Sequence, residues 1–366
     1  MLKKAAVYTA SLLFLLLMVT NSCSTEVEIT APYKSTPVII GVLDYTVDTQ
    51  FVRINRTFLG PGDANSYAAI KDSVEYAIDE VDAWLVKYNG NTKTDSIQLQ
   101  AIDVPSRDPG AFYDTDVRSY ITEEALFTPS EISNIGAMSY ELRATLRGKT
   151  YRASTEFPRI DLGDINPPAY TFPDTLRRPF AVSGTAVSVP FKYQTRESGA
   201  RYQGDLILVY DEELEDGTIT ERKELVYPLG VYINQDGNLS AQRDFDFPAG
   251  SWYSFVGNYF RTVPNLKKVR IHYIDHRITA ASLELHTYIS VASPISTFVP
   301  VFDSFTNIDN GAIGILGAKN QLGRGTWLNE ASLIYLNNSE FTSGTCYCVY
   351  WTGTAYTCDQ SATGCP

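Results

Sequence analysis

Tyr140-Glu141-Leu142-Arg143-Ala144-Thr145-Leu146, a turn at Gly148-Lys149, then Thr150-Tyr151-Arg152-Ala153-Ser154-Thr155: this stretch decides the fold. Apolar and polar residues alternate with period two. That is the pattern of a strand with one face on a core and the other in water. The glycine between the arms marks a tight turn, so the segment reads as an antiparallel hairpin.

Working outward, Val81 to Tyr88 reads as a strand entering Asn89-Gly90, a favoured turn pair, with Trp84 assigned to the core by its apolar neighbours. Pro37 to Leu43 and Gln50 to Thr57 supply two earlier strands, and Gly60-Pro61-Gly62-Asp63 a loop. Ser66 to Asp79 suits a short helix or an irregular insertion. Residues 37–158 are therefore expected to form an immunoglobulin-like β-sandwich.

Prolines at 158, 167 and 168 interrupt any sheet, because proline fixes φ and removes a ladder donor. Residues 159–186 are read as a linker. A second antiparallel domain, a sandwich or open barrel, is expected over 187–330. Its strands are placed at Val187 to Tyr193, Asp205 to Tyr210, Lys223 to Tyr227, Lys268 to Ile274 and Ala280 to Ile289. The 24 tyrosines and 17 phenylalanines support a mainly β protein over a helical bundle or doubly wound sheet.

The front of the chain is of a different kind. Lys3 and Lys4 precede an apolar run from Ala5 to Val19, and Asn21-Ser22-Cys23-Ser24-Thr25-Glu26 follows. This reads as an export signal over 1–22, cleaved at Cys23 with acyl chains attached there, and a tether over 23–36. The run is short of the roughly 18–20 residues that span a bilayer. Removing residues 1–22 takes away two lysines and no acid, so the net charge of -12 becomes -14. Such a chain is a poor nucleic-acid binder and is repelled by anionic headgroups, which leaves attachment to the lipid.

Few residues suggest chemistry. His272, Asp275 and His276, with His286 beyond, form the one tight cluster of potential metal ligands, although Arg277 opposes a cation there and the cluster also fits a polar strand edge running into a turn at Asp275-His276-Arg277. Asp211, Glu212, Glu213, Glu215 and Asp216 lack the spacing of a calcium loop and read as a solvated hairpin turn. Among the aromatics, Trp252, after Pro248-Ala249-Gly250, and Trp327, after Gly323-Arg324-Gly325, are the better candidates for exposed ligand contact; Tyr253, Tyr347, Tyr350 and Trp351 are weaker. No phosphate loop, dinucleotide signature, serine elbow or zinc-protease helix is present, so neither catalytic residues nor a cofactor are assigned. Cys346, Cys348, Cys358 and Cys365 crowd the end of the chain, in a segment read as 331–366. In an exported protein an even set points to two disulfides with three possible pairings; Cys346 with Cys358 and Cys348 with Cys365 is the favoured one.

Several stretches together resemble a surface-lipoprotein family of Bacteroidota, of unknown function, commonly encoded beside TonB-dependent outer-membrane receptors. They are Cys23-Ser24-Thr25-Glu26-Val27-Glu28, the strand pair around Val38 to Val42 and Phe51 to Thr57, and Tyr140 to Pro158. Leu283-Glu284-Leu285-His286-Thr287-Tyr288-Ile289-Ser290 and Phe305 to Gly317 complete the resemblance; the terminal cysteine segment departs from it. The resemblance implies a noncatalytic accessory of an outer-membrane β-barrel or TonB-dependent receptor, lipid-anchored in the outer membrane. The acids behind Cys23 imply display on the cell exterior. Ser73, Ser96 and Thr175, in Asp-Ser-Val, Asp-Ser-Ile and Asp-Thr-Leu triplets, resemble that phylum's O-glycosylation acceptors. A glycan- or peptide-binding surface lipoprotein and a metal-assisted hydrolase are the alternative expectations.

Overall fold

The computed structural model describes residues 35–58, 63–105, 112–113, 116–127, 138–160, 177–196, 198–234, 241–292 and 305–349. The export signal, Cys23, all but the last two residues of the tether, Thr175, Tyr350, Trp351, Cys358 and Cys365 lie outside them.

The protein is mainly β. Its first half contains β1 (Pro37–Asp44), β2 (Phe51–Arg56), β3 (Val81–Asn89), β4 (Thr92–Gln98), β5 (Gln100–Val104), β6 (Val117–Ile121), β7 (Met138–Leu146) and β8 (Lys149–Glu156). The hairpin expected at 140–155 is β7–β8, in the register Tyr140↔Thr155, Leu142↔Ala153, Ala144↔Tyr151. Every second residue of β7 is buried, as the alternation requires. The turn sits one residue earlier than the sequence suggests, with Arg147 and Gly148 both at positive φ. Arg147 tolerates this because Glu80 holds it, accepting from Nε at 2.8 Å and, through its carbonyl, from the Arg147 amide at 3.1 Å.

Two sheets face each other in this half. One is β4-β3-β7-β8; the other includes β1, β2, β6 and β5. Ile39, Leu43, Val52 and Ile54 meet Leu85, Tyr140, Leu142 and Phe157 between them. The insertion expected at 66–79 is two short helices, α1 (Ala64–Ala68) and α2 (Lys71–Val74), before a helical turn at Ile78–Glu80. Buried Glu75 ties it to β6 by accepting from the Tyr113 hydroxyl and, at 2.8 Å, from the Arg118 amide.

The second half begins with three two-residue strands, β9 (Arg177–Arg178), β10 (Ala181–Val182) and β11 (Thr185–Ala186). There follow β12 (Ser188–Gln194), β13 (Arg201–Leu214), β14 (Lys223–Ile233), β15 (Gln242–Pro248) and α3 (Ala249–Phe260). Next come β16 (Leu266–Ala281), α4 (Leu283–Ala292), β17 (Ile313–Leu328), α5 (Glu330–Asn338) and β18 (Cys346–Val349). Antiparallel strands β14, β13, β16 and β17 form the main sheet, and β12 pairs with β15. The layer over one face of the main sheet is largely helical: Trp252, Tyr253, Val256 and Phe260 of α3 and Leu333 and Leu336 of α5 pack on Leu206, Leu208, Tyr210, Val269, Ile271 and Ile274. Phe191 and Tyr193 of β12 extend that layer over Tyr202, Ile278 and Ala280.

The halves are joined in a way the sequence does not announce. The first part of β17 pairs parallel to β1, Val38↔Ile313 through Asp44↔Lys319, and its remainder pairs antiparallel to β16, Ala281↔Lys319 through Ile274↔Thr326. One sheet thus runs β14-β13-β16-β17-β1-β2-β6-β5 across both halves. Leu316 and Ala318 belong to the first core. The divisions at 158 and 187 therefore do not separate two self-contained sheets.

Three local expectations are corrected. Ala280 to Ile289 is not one strand: β16 ends at Ala281 and α4 follows, its first turn held by the Ser282 carbonyl accepting from the His286 amide at 2.9 Å. The turn expected at Asp275-His276-Arg277 lies inside β16, paired on both sides by β13 and β17. The acidic run Asp211 to Asp216 starts within β13; the chain turns only beyond Leu214, at Gly217 with φ +85°.

Gly314 sits at the β1–β17 junction with φ +122°, and a Cβ there would lie 1.9 Å from the Ile39 carbonyl oxygen. Gly314→Ala is expected to lower the unfolding free energy by about 2–4 kcal/mol in urea titration, since strain and clash act together. A loss under about 0.5 kcal/mol, the range of a neutral surface change, would contradict this account of the junction.

Candidate functional site

Strand alternation sends the potential ligands of the main sheet to opposite sides. His276 faces the helical layer, buried, 5.3 Å from the Phe191 ring and hydrogen-bonded through Nε2 to Thr326 Oγ1 at 3.1 Å. Asp275, the adjacent residue, faces the other side. His272 contacts Asp211 through Nε2 at 2.7 Å and Arg222 through Nδ1 at 3.2 Å. Because arginine only donates, the His272 proton sits on Nε2. His286 lies on α4, where burial and the positive charge of Arg201 lower its pKa. The four residues read as a metal cluster are thus not assembled, and no group of three or more potential metal ligands occurs among the described residues.

The aromatic candidates are placed differently from expectation. Trp252 is 1% exposed, in α3 rather than a loop, with its ring 5.0 Å from those of Phe180 and Tyr253. Its position after Pro-Ala-Gly is a helix start, and its face is the one that α3 buries. Trp327 lies near the end of β17, half-buried against the same core. Trp252 is therefore closed to an external ligand. Tyr253 and Tyr347 are also core residues. Ser73 in α2 and Ser96 in β4 are both half-exposed.

What the main sheet does offer is a polar face, opposite the helical layer. Arg277 is central: Nη1 and Nη2 each reach Glu224 at 3.2 Å, and Nε donates to Asp275 at 3.0 Å. Asp275 is 7% exposed and fills the space above Gly323, where a Cβ would approach its Oδ1 to 2.7 Å. Burial raises the Asp275 pKa; Arg277 and the Arg324 amide oppose that rise. Asp205, directly paired with Arg277 across β13–β16, is also 7% exposed and accepts from Gln203 at 3.1 Å. Burial lifts its pKa too. Further along, Glu213 accepts from Arg270 Nε and pairs with Lys267, both at 2.9 Å; the adjacent Glu212 points to the helical side, with Tyr210 and Val269, where it pairs with Lys223 at 2.7 Å. The acids read as a hairpin turn or calcium run are therefore mostly members of ion pairs between strands. This face can hold charge in place and contact a partner; it does not converge a nucleophile and a base.

At the chain's end, β18 lies parallel to β16 on the edge that β17 leaves free, Lys268↔Cys346 through Ile271↔Val349. Cys346 and Cys348 are both buried.

No family model matches the chain, and no curated protein does. Among solved structures it is similar to the C-terminal globular domain of an oligosaccharyltransferase from Pyrococcus abyssi, at 11% identity and a TM-score of 0.22. The match covers 68% of this chain and 48% of that one, so the chain spans about half the length of that structure. A likeness this loose carries nothing about activity.

Asp205→Asn is expected to stabilise the protein at pH 7. A raised carboxyl pKa means that the folded state binds the proton more tightly than the unfolded chain, so ionisation costs stability above the folded pKa. The gain should shrink as pH falls through the folded value and vanish below about pH 3, under the ordinary aspartate value. Urea midpoints measured from pH 3 to 7 check this; a gap that widens on acidification would refute it.

Proposed function

We propose that the protein is a noncatalytic lipoprotein of the outer membrane, held by acyl chains on Cys23 and displayed on the cell exterior. There it serves as an accessory subunit of a TonB-dependent receptor or another outer-membrane β-barrel. The observation that carries this reading is the order Lys3-Lys4, apolar Ala5 to Val19, Cys23, then acids. Several acyl chains supply a durable anchor, at about 0.8 kcal/mol per buried CH₂. The resemblance to the receptor-associated lipoprotein family supports the choice of partner.

The body suits such a role. Its second half presents a broad polar sheet face whose charges are mostly paired side chain to side chain, as at Arg277 and Glu213. Paired, partly buried charges fix register and partner choice more than they add affinity. The net charge favours a basic companion surface. The metal-assisted hydrolase reading finds no support in the placement of His272, Asp275 and His276. The glycan- or peptide-binding reading loses Trp252, which is buried in the core, while Trp327 is half-buried.

Cys23→Ala is expected to move the protein from the membrane to the soluble fraction and to abolish recovery of a β-barrel companion in gentle copurification. Wild-type protein whose residue 23 carries no fatty acid by mass spectrometry, recovered wholly soluble, would overturn the proposal.

The terminal segment is proposed to be a stapled cap, with Cys346 joined to Cys358 and Cys348 to Cys365. Peptide mapping without reductant should yield those two linked pairs. Recovery of either alternative pairing, or of free thiols in exported protein, would reject the assignment.

A further inference from the structure

On the outer side of the four-stranded sheet β4-β3-β7-β8, Trp84 and Tyr88 project from the same face of β3, four residues and therefore about 13 Å apart. Their neighbours Ala83 and Leu85 point the other way, into the core, at 2% and 0% exposed. Trp84, read from the sequence as a core residue, is thus an outer-face residue and only half-buried. The register sets it between Arg143 of β7 and Gln98 of β4.

Both rings are held from their polar ends. Trp84 Nε1 donates to Asp82 Oδ1 at 2.8 Å, and the same oxygen accepts from Gln98 Nε2 at 3.2 Å. Arg143 Nη2 donates to the Tyr88 hydroxyl at 2.6 Å, while its Nε is bonded to Glu141. Val86, between the rings on the same face, is 2% exposed, so surrounding side chains close the floor there. An indole tied to a surface carboxylate is not satisfied by a core. Rings fixed in advance lose little side-chain freedom when a ligand settles on them.

We propose that this face is a binding platform for a neutral oligosaccharide. Sugar rings present apolar C–H faces rimmed by hydroxyls. The platform presents two aromatic side chains rimmed by a carboxylate, an amide and a guanidinium, groups that together donate to and accept from hydroxyls. On this face Asp82, Glu141 and Glu156 stand against Arg143, Arg152, across from it on β8, and Lys93, across from Tyr88 on β4, so the platform carries no net positive charge with which to draw an anionic polymer. A peptide adding as a strand needs unpaired main-chain groups at a sheet edge, and β3 and β7 are each paired on both sides. The platform lies apart from the polar face of the main sheet, so glycan binding and receptor docking fail or succeed independently.

The test is a titration of full-length protein, in zwitterionic micelles free of sugar detergents, with cellohexaose, xylohexaose, mannohexaose and maltohexaose. At least one should bind. Trp84→Ala should weaken it by roughly tenfold or more, and Trp84→Phe, which keeps an aromatic face, by about threefold or less. Arg143→Ala, which releases Tyr88, should also weaken it and keeps the test open if Trp84→Ala fails to fold. Absence of binding to all four sugars, binding unchanged by both alanine variants, or binding of extended peptides in place of sugars would each overturn the proposal.

Discussion

The sharing of β17 between two pairings is the constraint on which the rest of the structure depends. A strand that is parallel to β1 at one end and antiparallel to β16 at the other must cross from one core to the next without losing its ladder. Glycine at 314 allows the crossing to begin, since the Ile39 carbonyl occupies the space a side chain would need. Buried polar contacts then close the junction. Asn320 Nδ2 donates to the Pro158 carbonyl at 3.1 Å, and Ser282 Oγ accepts from the Ala318 amide at 3.2 Å. Thr155 Oγ1 reaches both Ser282 Oγ, at 3.1 Å, and Glu284, at 2.9 Å. Parting the halves would strand these groups, each at about 1–3 kcal/mol. Relative rotation of the two halves is therefore opposed by the sheet itself.

That weld gives each sheet two unlike faces. In the second half one face is committed to aromatic packing under α3 and α5, and the other to strand-to-strand ion pairs. In the first half the core takes one face of β3 and β7, and Trp84, Tyr88 and Arg143 occupy the other. Function must be sought on the two outer faces, because the inner ones are spent on stability. The charges around Arg277 are partly buried, where the cost of desolvation offsets much of their attraction, so they act mainly to specify which surface fits against them.

The sequence made part of this legible. Alternation in 140–155 determines the β7–β8 hairpin because each arm has one dry and one wet face. It fails where the same spacing serves two structures. Leu283, Leu285 and Ile289 fit period two, yet Leu285 and Ile289 are also one helical turn apart, and Ser282 at the start of that turn decides for a helix. Asp275-His276-Arg277 looked like a turn because three polar residues interrupt an apolar strand; inside β16 they are paired on both flanks, by β13 and β17, instead. Trp84 and Trp252 exchanged roles for a related reason. Apolar neighbours in sequence point to the opposite face of a strand, so they say nothing about Trp84, while Pro-Ala-Gly before Trp252 opened a helix and not a loop. The parallel contact of β17 with β1 joins residues about 275 apart, and nothing local encodes it.

Anchoring at Cys23, as proposed, would leave 14 residues between the acyl chains and the first strand. Fully extended, that length reaches about 46–50 Å, enough to clear the headgroup layer. A body of net charge -14 beside anionic lipid would be pushed towards the outer end of that range. Neither outer face then needs to touch the bilayer. The strand nearest the tether, β1, belongs to the sheet opposite the one carrying Trp84, so tether and platform fall on different layers of the same sandwich. A lipoprotein so arranged could hold a sugar chain on one layer while the polar face of its second half rested on a barrel, with β17 fixing the distance between the two contacts.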